Sequence, residues 1–379
     1  MITRLMRKLL LCTLLITLPA VAAPKRRPSS PPVSFPQCSM ITGSPAVTFT
    51  RNEGATLTRT ALPLTGIGYT YGLTAVDANT LVAVHKSDLL ISTDSGCSWK
   101  VATQLDAPTF PPRVATGSDG RIYAWSDNRD WAVRHDARGT RKLKQPVHFV
   151  GFAVDPQNPD HLRAGGHDGS SANGEIWDSR DGGETWEHVA PVPRSALIYR
   201  VVFDPRNLDH VLVGTLSEGS FVSFDGGRTW TRSEGIRGSR GTNVFEFAIS
   251  PVDTNVVWAM GIDMAESDAG VPSHGRHIYR SIDGGLTFVP VLDEEPGVKL
   301  INGPTMAAHP TDPNVLYFVF GTHVMGYGTD LFRFDASSKE LTMTHNDHHG
   351  INAITFSPKD PRVMYLGLEV VGGSGGGGF

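Results

Sequence analysis

Histidine and carboxylate side chains are concentrated in two stretches of the sequence. The stretch from Thr344 to Asn352 contains His345, Asp347, His348 and His349. The stretch from Asp263 to His277 contains Asp263, Glu266, Asp268, His274, Arg276 and His277. Imidazole and carboxylate groups are the usual general acids, general bases and metal ligands of proteins. These two stretches are therefore the leading candidates for a functional site.

Other candidates stand alone in the sequence: His85, His148, His167, Asp168, Glu218 and His323. Imidazoles with a carboxylate could bind a metal, but these histidines lack the spacing of a metal motif, so neither a metal nor another cofactor is predicted. Two acids could instead catalyse glycoside hydrolysis, and the candidates are Asp263, Glu266, Asp347 and Glu218. The third interpretation, which we favour, is a polar rim of loops that binds a protein or a glycan.

A repeated eight-residue motif defines the elements that must position these residues. Four copies follow the pattern Ser-x-Asp-x-Gly-x-Thr/Ser-Trp/Phe, the Asp box, at 92–99, 179–186, 223–230 and 281–288. The carboxylate can accept hydrogen bonds from N–H groups of its own turn, the Gly can take a positive φ, and the aromatic ring can pack between sheets. The box acids are therefore predicted to hold hairpins rather than to catalyse: Asp94, Asp181, Asp225 and Asp283.

A second repeated feature is a Pro turn between two short apolar segments. It occurs at Asp155-Pro156, Asp204-Pro205, Ser250-Pro251, His309-Pro310 and Ser357-Pro358. Each repeat then reads as strand A, Pro turn, strand B, loop, strand C, Asp box and strand D. Such a four-stranded antiparallel unit of 42 to 58 residues is typical of a propeller blade.

The number of blades follows from degenerate copies of the box. Asp136 and Asp335 lie where boxes are missing, and the segment 50–57 keeps the spacing with Asn52 in place of Asp. The turn centres then fall at 52, 94, 136, 181, 225, 283 and 335, which predicts seven blades, with a six- or eight-bladed ring as the alternative. The C-terminal unit 351–369 supplies only strands A and B, and the unit around Asn52 supplies only C and D. We therefore expect the two termini to complete one blade and close the ring.

The ends of the chain predict export. Three cationic residues precede an apolar run from Leu9 to Leu18, which is too short to span a membrane and is followed by small residues. This is the pattern of a cleaved secretory signal over residues 1–23. A Pro/Ser-rich leader then covers 24–44, the propeller 45–370, and a flexible Gly-rich tail 371–379. We expect a secreted or periplasmic protein without membrane insertion.

The charge and the cysteines limit the partners and the compartment. Loss of Arg4, Arg7 and Lys8 with the signal lowers Lys plus Arg from 34 to 31, against 38 Asp plus Glu. Nucleic-acid binding needs clustered cations, so it is not predicted. An oxidising compartment favours a disulfide between Cys38 and Cys97, with two free thiols as the alternative. We expect a monomer whose partner is an exported protein or a glycan.

The boxes and Pro turns together resemble the Asp-box, or BNR, propeller superfamily over about residues 45–370. That superfamily includes sialidases, xyloglucanase-type glycoside hydrolases, sortilin-type receptors and photosystem assembly factors, so the resemblance implies the fold but fits both catalysis and binding. The Arg-Ile-Pro motif of sialidases is absent here, and the predicted first inner strand, Tyr71–Val76, holds no arginine. The Pro-turn pattern is most similar to the sortilin-type and assembly-factor propellers, which act by binding.

The two faces of such a ring carry different loops. The Asp-box and Pro turns lie on one face, here the Asp-box face, and the B-to-C and D-to-A loops lie on the other, here the loop-rich face. The candidate residues of both stretches and the isolated histidines fall on the loop-rich face. The sequence thus predicts an all-β, seven-bladed propeller that recognises an exported protein or carbohydrate through its loop-rich face, with a glycoside hydrolase as the alternative.

Overall fold

The computed structural model describes residues 36–65, 70–106, 112–127, 129–169, 174–193, 197–236, 241–298, 300, 305–320, 329–346 and 349–370. The predicted signal and tail, and most of the predicted leader, lie outside the described residues. The described part contains 29 strands and one short helix, α1 (Met264–Ala269). No described helix is long and apolar enough to cross a membrane.

Three short strands precede the first complete blade: β1 (Met40–Ile41), β2 (Val47–Thr50) and β3 (Arg59–Thr60). Blade 1 contains β4 (Gly72–Ala75), β5 (Leu81–His85), β6 (Asp88–Ser92) and β7 (Lys100–Gln104). Blade 2 contains β8 (Arg113–Thr116), β9 (Ile122–Trp125), β10 (Ala132–Asp136) and β11 (Gly139–Lys142). Blade 3 contains β12 (His148–Val154), β13 (Leu162–His167), β14 (Glu175–Ser179) and β15 (Glu187–Pro191).

The remaining blades continue the same order. Blade 4 contains β16 (Ile198–Asp204), β17 (Asn207–Thr215), β18 (Ser220–Ser223) and β19 (Thr231–Arg232). Blade 5 contains β20 (Thr242–Ile249), β21 (Val257–Asp263), β22 (Arg276–Ser281) and β23 (Val289–Asp293), with α1 between β21 and β22. Blade 6 contains β24 (Met306–Ala308), β25 (Val315–Phe320), β26 (Thr329–Asp335) and β27 (Glu340–Asn346). Blade 7 contains β28 (His349–Phe356), β29 (Met364–Val370) and β2.

The blades form a closed ring. Six sheets have four antiparallel strands in the order A, B, C, D, and the seventh joins both ends of the chain. The A strands of consecutive blades contact one another from β4 through β8, β12, β16, β20, β24 and β28 back to β4. The A strands therefore surround the central channel. The predicted all-β, seven-bladed propeller is confirmed.

The core is divided among the seven junctions between blades. Each of seven apolar clusters draws its buried side chains from two neighbouring blades. Strand β9 shows why the strands read as continuous apolar runs: Ile122 and Ala124 pack towards blade 1, whereas Tyr123 and Trp125 pack towards blade 3. Because successive side chains of a strand point to opposite faces, both faces of a blade must be apolar.

The Asp boxes form the predicted turns. In the box of blade 4, Asp225 accepts hydrogen bonds from the hydroxyl of Ser223 (2.8 Å) and from the N–H (2.8 Å) and hydroxyl (2.6 Å) of Thr229. Asn52 accepts the equivalent bonds from the Thr50 hydroxyl and the Thr56 N–H, both at 2.9 Å. The degenerate centres at 136 and 335 also lie at C-to-D hairpins. The four box acids thus accept hydrogen bonds from their own turns.

The closing blade differs from the expectation in one strand. Strand β2 pairs with β29, as predicted, but this sheet has three strands instead of four. After the Asn52 turn the chain returns beside β2 for one hydrogen bond, from the N–H of Thr58 to the carbonyl of Phe49 at 3.0 Å. It then leaves to pair in parallel as β3 with β1. The segment expected as strand D therefore pairs with β1 instead of continuing along β2.

The disulfide is confirmed and explains where β1 lies. Cys38 is bonded to Cys97, with Cα atoms 5.7 Å apart, and Cys97 belongs to the Asp box of blade 1. A parallel bridge between Thr42 and Ser98 continues the connection. This N-terminal segment, Cys38–Thr42, lies within the predicted leader, and it fastens the closing blade to blade 1.

Candidate functional site

The insertion between strands B and C of blade 5 is built on the one helix of the described residues. Asp263 ends β21, and its carboxylate accepts hydrogen bonds from the N–H groups of Ala265 (2.8 Å) and Glu266 (3.2 Å). Gly270 ends the helix in the left-handed region, with a φ of 67°. An Asp at this position satisfies N–H groups that the helix itself leaves unpaired. Asp263 is therefore a helix cap, and its carboxylate is already engaged.

His277 connects the helix to strand D of the same blade. Its Nε2 lies 2.9 Å from Oε2 of Glu266, and its Nδ1 lies 2.8 Å from Oδ1 of Asp293. His277 is buried, and its two ring nitrogens face carboxylates whose side chains are 45% and 63% exposed. The structure thus brings together His277 and Glu266, two residues of the same candidate stretch, and it adds Asp293. This arrangement holds the insertion against the blade.

A second cluster lies at the far end of the insertion. Nδ1 of His274 lies 3.0 Å from Oε1 of Glu294, and Nε of Arg276 lies 4.0 Å from Oε2 of the same residue. Glu294 is buried and also accepts a hydrogen bond from the N–H of Leu300 at 2.9 Å. Glu294 therefore orients both predicted side chains and ties them to the segment that leads into blade 6.

His167, Asp168 and Glu218 lie on other blades. His167 is the cross-strand partner of His148 at the start of β12, with ring centroids 6.0 Å apart. Burial, followed by the nearby His148, lowers the pKa of His167. Asp168 follows His167 in the same loop. Glu218 lies in blade 4 and pairs with Nη2 of Arg232 at 3.2 Å. These candidates are thus distributed over blades 3 and 4, and Glu218 is engaged by an arginine of its own blade.

The remaining candidates cannot be assembled into a site from the described residues. His85 ends β5 with Nδ1 2.9 Å from the hydroxyl of Thr70, and burial, followed by the charge of Lys86, lowers the pKa of His85 to about 4. His345 and His349 lie in β27 and β28, whereas His323, Asp347 and His348 lie outside the described residues. Within the described residues, no group of three His, Cys, Asp or Glu side chains could hold a metal ion.

Four charged side chains that the sequence analysis did not select cross the central channel. Arg200 from β16 lies with Nε 2.8 Å from Oε1 of Glu246 in β20 and with Nη1 3.3 Å from Oδ2 of Asp127. Arg113 from β8 contacts the same two acids, with Nε 2.5 Å from Oδ2 of Asp127 and Nη2 3.9 Å from Oε2 of Glu246. These four residues, here the channel ion cluster, connect blades 2, 4 and 5. Arg113, Arg200 and Glu246 line a channel cavity of about 320 Å³ together with inner-strand residues of the other blades.

The channel ion cluster is charge-balanced. Although burial alone would lower it, the charges of Asp127 and Glu246 raise the pKa of Arg113. Asp127 also accepts a hydrogen bond from Nε1 of Trp125 at 3.2 Å. A glycosidase needs two carboxyl groups that are free to give and accept a proton at the glycosidic bond, whereas Asp127 and Glu246 are both engaged by arginines. The cluster therefore suits a brace across the channel better than an acid–base pair.

A signal in the sequence could have located the channel-lining residues. In blades 3 to 7 the residue five positions before the proline of the Pro turn lines the channel cavity: Gly151, Arg200, Glu246, Thr305 and Ala353. A charged residue at this repeat position faces the channel, where charges from different blades meet. The position of a residue relative to the turn proline therefore predicts whether that residue lines the channel, which the Asp box alone does not.

The fold is that of an Asp-box β-propeller. The candidate and box acids described above hold turns, cap a helix or form ion pairs. A family model for the BNR/Asp-box repeat matches residues 221–232, in the box region of blade 4. The chain is 42% identical over 342 residues to the dispase autolysis-inducing protein of Streptomyces mobaraensis, and the match covers 89% of this chain and 90% of that protein. The chain therefore belongs to the family of the dispase autolysis-inducing protein.

More distant similarities agree with the fold. The chain is 28% identical over 246 residues to a xyloglucanase of Acetivibrio thermocellus, which covers 58% of this chain but only 28% of that enzyme. Among solved structures, YCF48 bound to a D1 peptide has a TM-score of 0.52 at 12% identity, over 81% of this chain and 95% of that chain. A catalytically inactive virginiamycin B lyase from Staphylococcus aureus has a TM-score of 0.53 at 12% identity, over 82% and 98%. At such low identity the structures share the fold alone.

Proposed function

We propose that this chain is an exported, non-catalytic propeller that binds a protease and induces the protease to cleave itself. The observation that carries the proposal is the 42% identity to the dispase autolysis-inducing protein along 90% of its length. The name of that relative describes such an effect on dispase. The signal pattern of residues 1–23 and the disulfide between Cys38 and Cys97 support export into an oxidising compartment.

The state of the acidic side chains supports binding over hydrolysis. Asp263 caps a helix, Glu266 is held by His277, and Glu218 is paired with Arg232. The channel ion cluster uses its two acids in ion pairs with arginines. A glycosidase requires two carboxyl groups that can give and accept a proton in turn. A binding propeller requires only a shaped and rigid surface, which the closed ring supplies.

The test measures the loss of intact dispase in the presence of the purified protein. Dispase is incubated with increasing amounts of the protein, and intact dispase is followed by gel electrophoresis and by its residual activity. We expect the rate of loss to rise and then to saturate as the dispase becomes fully bound. Albumin and the heat-unfolded protein serve as controls. Equal rates of loss with the protein and with albumin would overturn the proposal.

Two further measurements separate induced autolysis from catalysis by the propeller itself. A dispase variant without activity should bind the protein and remain intact, because the cleavage belongs to dispase; its cleavage would instead make the propeller the enzyme. A broad panel of glycans should yield no reducing ends and no free sialic acid. Release of sugar that disappears in Asp347→Ala would assign a glycosidase to the loop-rich face and contradict the proposal.

A further inference from the structure

One position of the Asp box changes its chemical character between blades. The residue just before the box Asp or Asn is exposed in all five boxes: Arg51, Thr93, Arg180, Phe224 and Ile282. It is polar in three of them, so the turn does not require an apolar side chain there. Blades 4 and 5 are neighbours, and they place Phe224 and Ile282 at this position with 51% and 69% of each residue exposed.

The Pro turns deviate in the same part of the ring. The residue after the turn proline is exposed in each of blades 3 to 7. In blade order it is Gln157, Arg206, Val252, Thr311 and Lys359. Only the residue of blade 5, Val252, is apolar among these five, and it is 41% exposed. Water contact disfavours large apolar side chains unless another surface covers them. Three exposed apolar side chains at such positions on two adjacent blades therefore indicate a surface that a binding partner covers.

The three side chains lie on turns that contact one another. The ring of Phe224 stacks on His210, with centroids 4.9 Å apart and an interplanar angle of 11°. Nε2 of His210 donates to the carbonyl of Gly284 at 2.8 Å, in the turn that also carries Ile282. The N–H of Gly284 donates in turn to the carbonyl of Asn255 at 2.8 Å, in the Pro turn of Val252. We call Phe224, Val252 and Ile282 the apolar turn patch.

Cations without acidic partners border the apolar turn patch. A groove of about 550 Å³ beside Phe224 is lined by Arg206, whose Nη1 lies 3.3 Å from the carbonyl of Val252. Nη1 of Arg228, in the same box as Phe224, donates to the carbonyl of Asp225 at 2.6 Å. In the part of the chain that the structure describes, neither guanidinium forms an ion pair with a carboxylate. By contrast, Arg180 in the box of blade 3 is paired with Asp178 at 2.7 Å.

We propose that the apolar turn patch is the surface on which the target protease docks. The occupant is a surface segment of the protease that places an aliphatic or aromatic side chain on Phe224 and a carboxylate near Arg206 and Arg228. The charge of the two arginines complements such an acid, and the apolar side chains supply the desolvated centre that tight interfaces need. This inference rests on the proposed function and places the contact on the Asp-box face, opposite the loop-rich face that the sequence predicts.

The test compares a triple variant of the apolar turn patch with a control at an exposed apolar residue on the other face. The first is the triple variant Phe224→Ser, Val252→Thr and Ile282→Thr, which removes the apolar turn patch. The control is Leu197→Ser, which removes a side chain that is 41% exposed at the start of blade 4 on the loop-rich face. Binding to the inactive dispase variant is measured by surface plasmon resonance, and the loss of active dispase is followed as above. We expect the triple variant to bind at least about tenfold more weakly and the control to stay within about twofold.

Folding and charge are checked separately. Because the replaced side chains are exposed, the Tm of the triple variant should stay within about 2 °C of the wild type. Arg206→Gln with Arg228→Gln should weaken binding and reduce its dependence on salt, because the arginines act through charge.

The outcomes distinguish the two proposals. Wild-type protein that neither binds nor destabilises dispase overturns the proposed function and this inference with it. Wild-type activity that survives in the triple variant but is lost in Leu197→Ser overturns only the docking surface and favours the loop-rich face. Self-association of the wild type that the triple variant abolishes, measured by light scattering, would assign the patch to a second copy and also overturn the inference.

Discussion

Acidic side chains are bound by other side chains both on the Asp-box face and in the central channel. The two regions differ in how far these partners lie from the acid in sequence. Asp225 is bound by Ser223 and Thr229, within four residues of itself. In the channel ion cluster, Asp127 is bound by Arg200, 73 residues away in sequence. A box can therefore form in an isolated hairpin, whereas the channel ion cluster exists only when three blades have assembled.

This difference predicts how far the effect of a substitution extends through the ring. Loss of a box acid should weaken one hairpin, because its partners belong to the same turn. Loss of Arg200 or Glu246 from the channel ion cluster should weaken the junction of several blades, because the charged partners of both residues belong to other blades. The disulfide on the Asp-box face is also long-range, so it should behave like the channel and not like the boxes.

The largest expected effect is therefore that of the disulfide. Replacing Cys38 and Cys97 together by Ala should lower the free energy of unfolding by about 4 kcal/mol, because the bond closes a loop of about 59 residues in the unfolded chain. Urea unfolding followed by fluorescence measures the change. Wild-type protein treated with a reductant should match the double variant, and the variant itself should not respond to the reductant. A loss below about 1 kcal/mol would show that the closing blade is held without this bond.

The channel ion cluster comes next. Arg200→Met keeps most of the side-chain volume but leaves Glu246, whose side chain is 11% exposed, with only the N–H of Phe247 and the distant contact to Arg113 as partners. We expect the free energy of unfolding to fall by about 3 kcal/mol, because a largely buried acid loses its main partner. Adding Glu246→Gln should recover part of the loss.

Arg113→Met is the matched control for Arg200→Met. Its side chain is 31% exposed, against 15% for Arg200, so water compensates more of the lost contact and the effect should be smaller. Equal and small effects of the two substitutions, in the same urea titration, would contradict a role of the channel ion cluster in joining the blades.

The contrast also explains what the sequence could and could not predict. The box of blade 4 was predictable because every partner of Asp225 lies within one eight-residue motif. Even Asn52 was found, since its spacing survives the change from Asp. Arg113 and Arg200 were missed because their partners lie far away in sequence and because inner strands read as apolar runs. The fourth strand of the closing blade was mispaired for a related reason: its segment pairs as β3 with β1, which a distant disulfide holds there.

A box acid should have a smaller and pH-dependent effect. Asp225→Ala should lower the free energy of unfolding by about 1.5 kcal/mol, because the turn loses its shared acceptor. Although burial alone would raise it, hydrogen bonds from Thr229 and Ser223 lower the pKa of Asp225 to about 2. A lowered pKa in the folded protein stabilises it above the unfolded value of about 3.8, and this contribution is lost as the pH falls towards 2. The difference between wild type and variant should therefore shrink between pH 4 and pH 2, and a constant difference would contradict this origin.

The smallest expected effect tests whether the closing blade uses its box as the other blades do. Asn52 already accepts hydrogen bonds from Thr50 and Thr56 at 2.9 Å, so Asn52→Asp keeps the geometry and makes the acceptor charged. Charged acceptors form stronger hydrogen bonds, and we expect the free energy of unfolding to rise by about 0.5 kcal/mol at pH 7. The gain should disappear as the pH falls below about 4, where the new acid takes up a proton. No gain at pH 7 would mean that this blade opens first at the pairing of β1 with β3, so that a stronger Asn52 turn cannot delay unfolding.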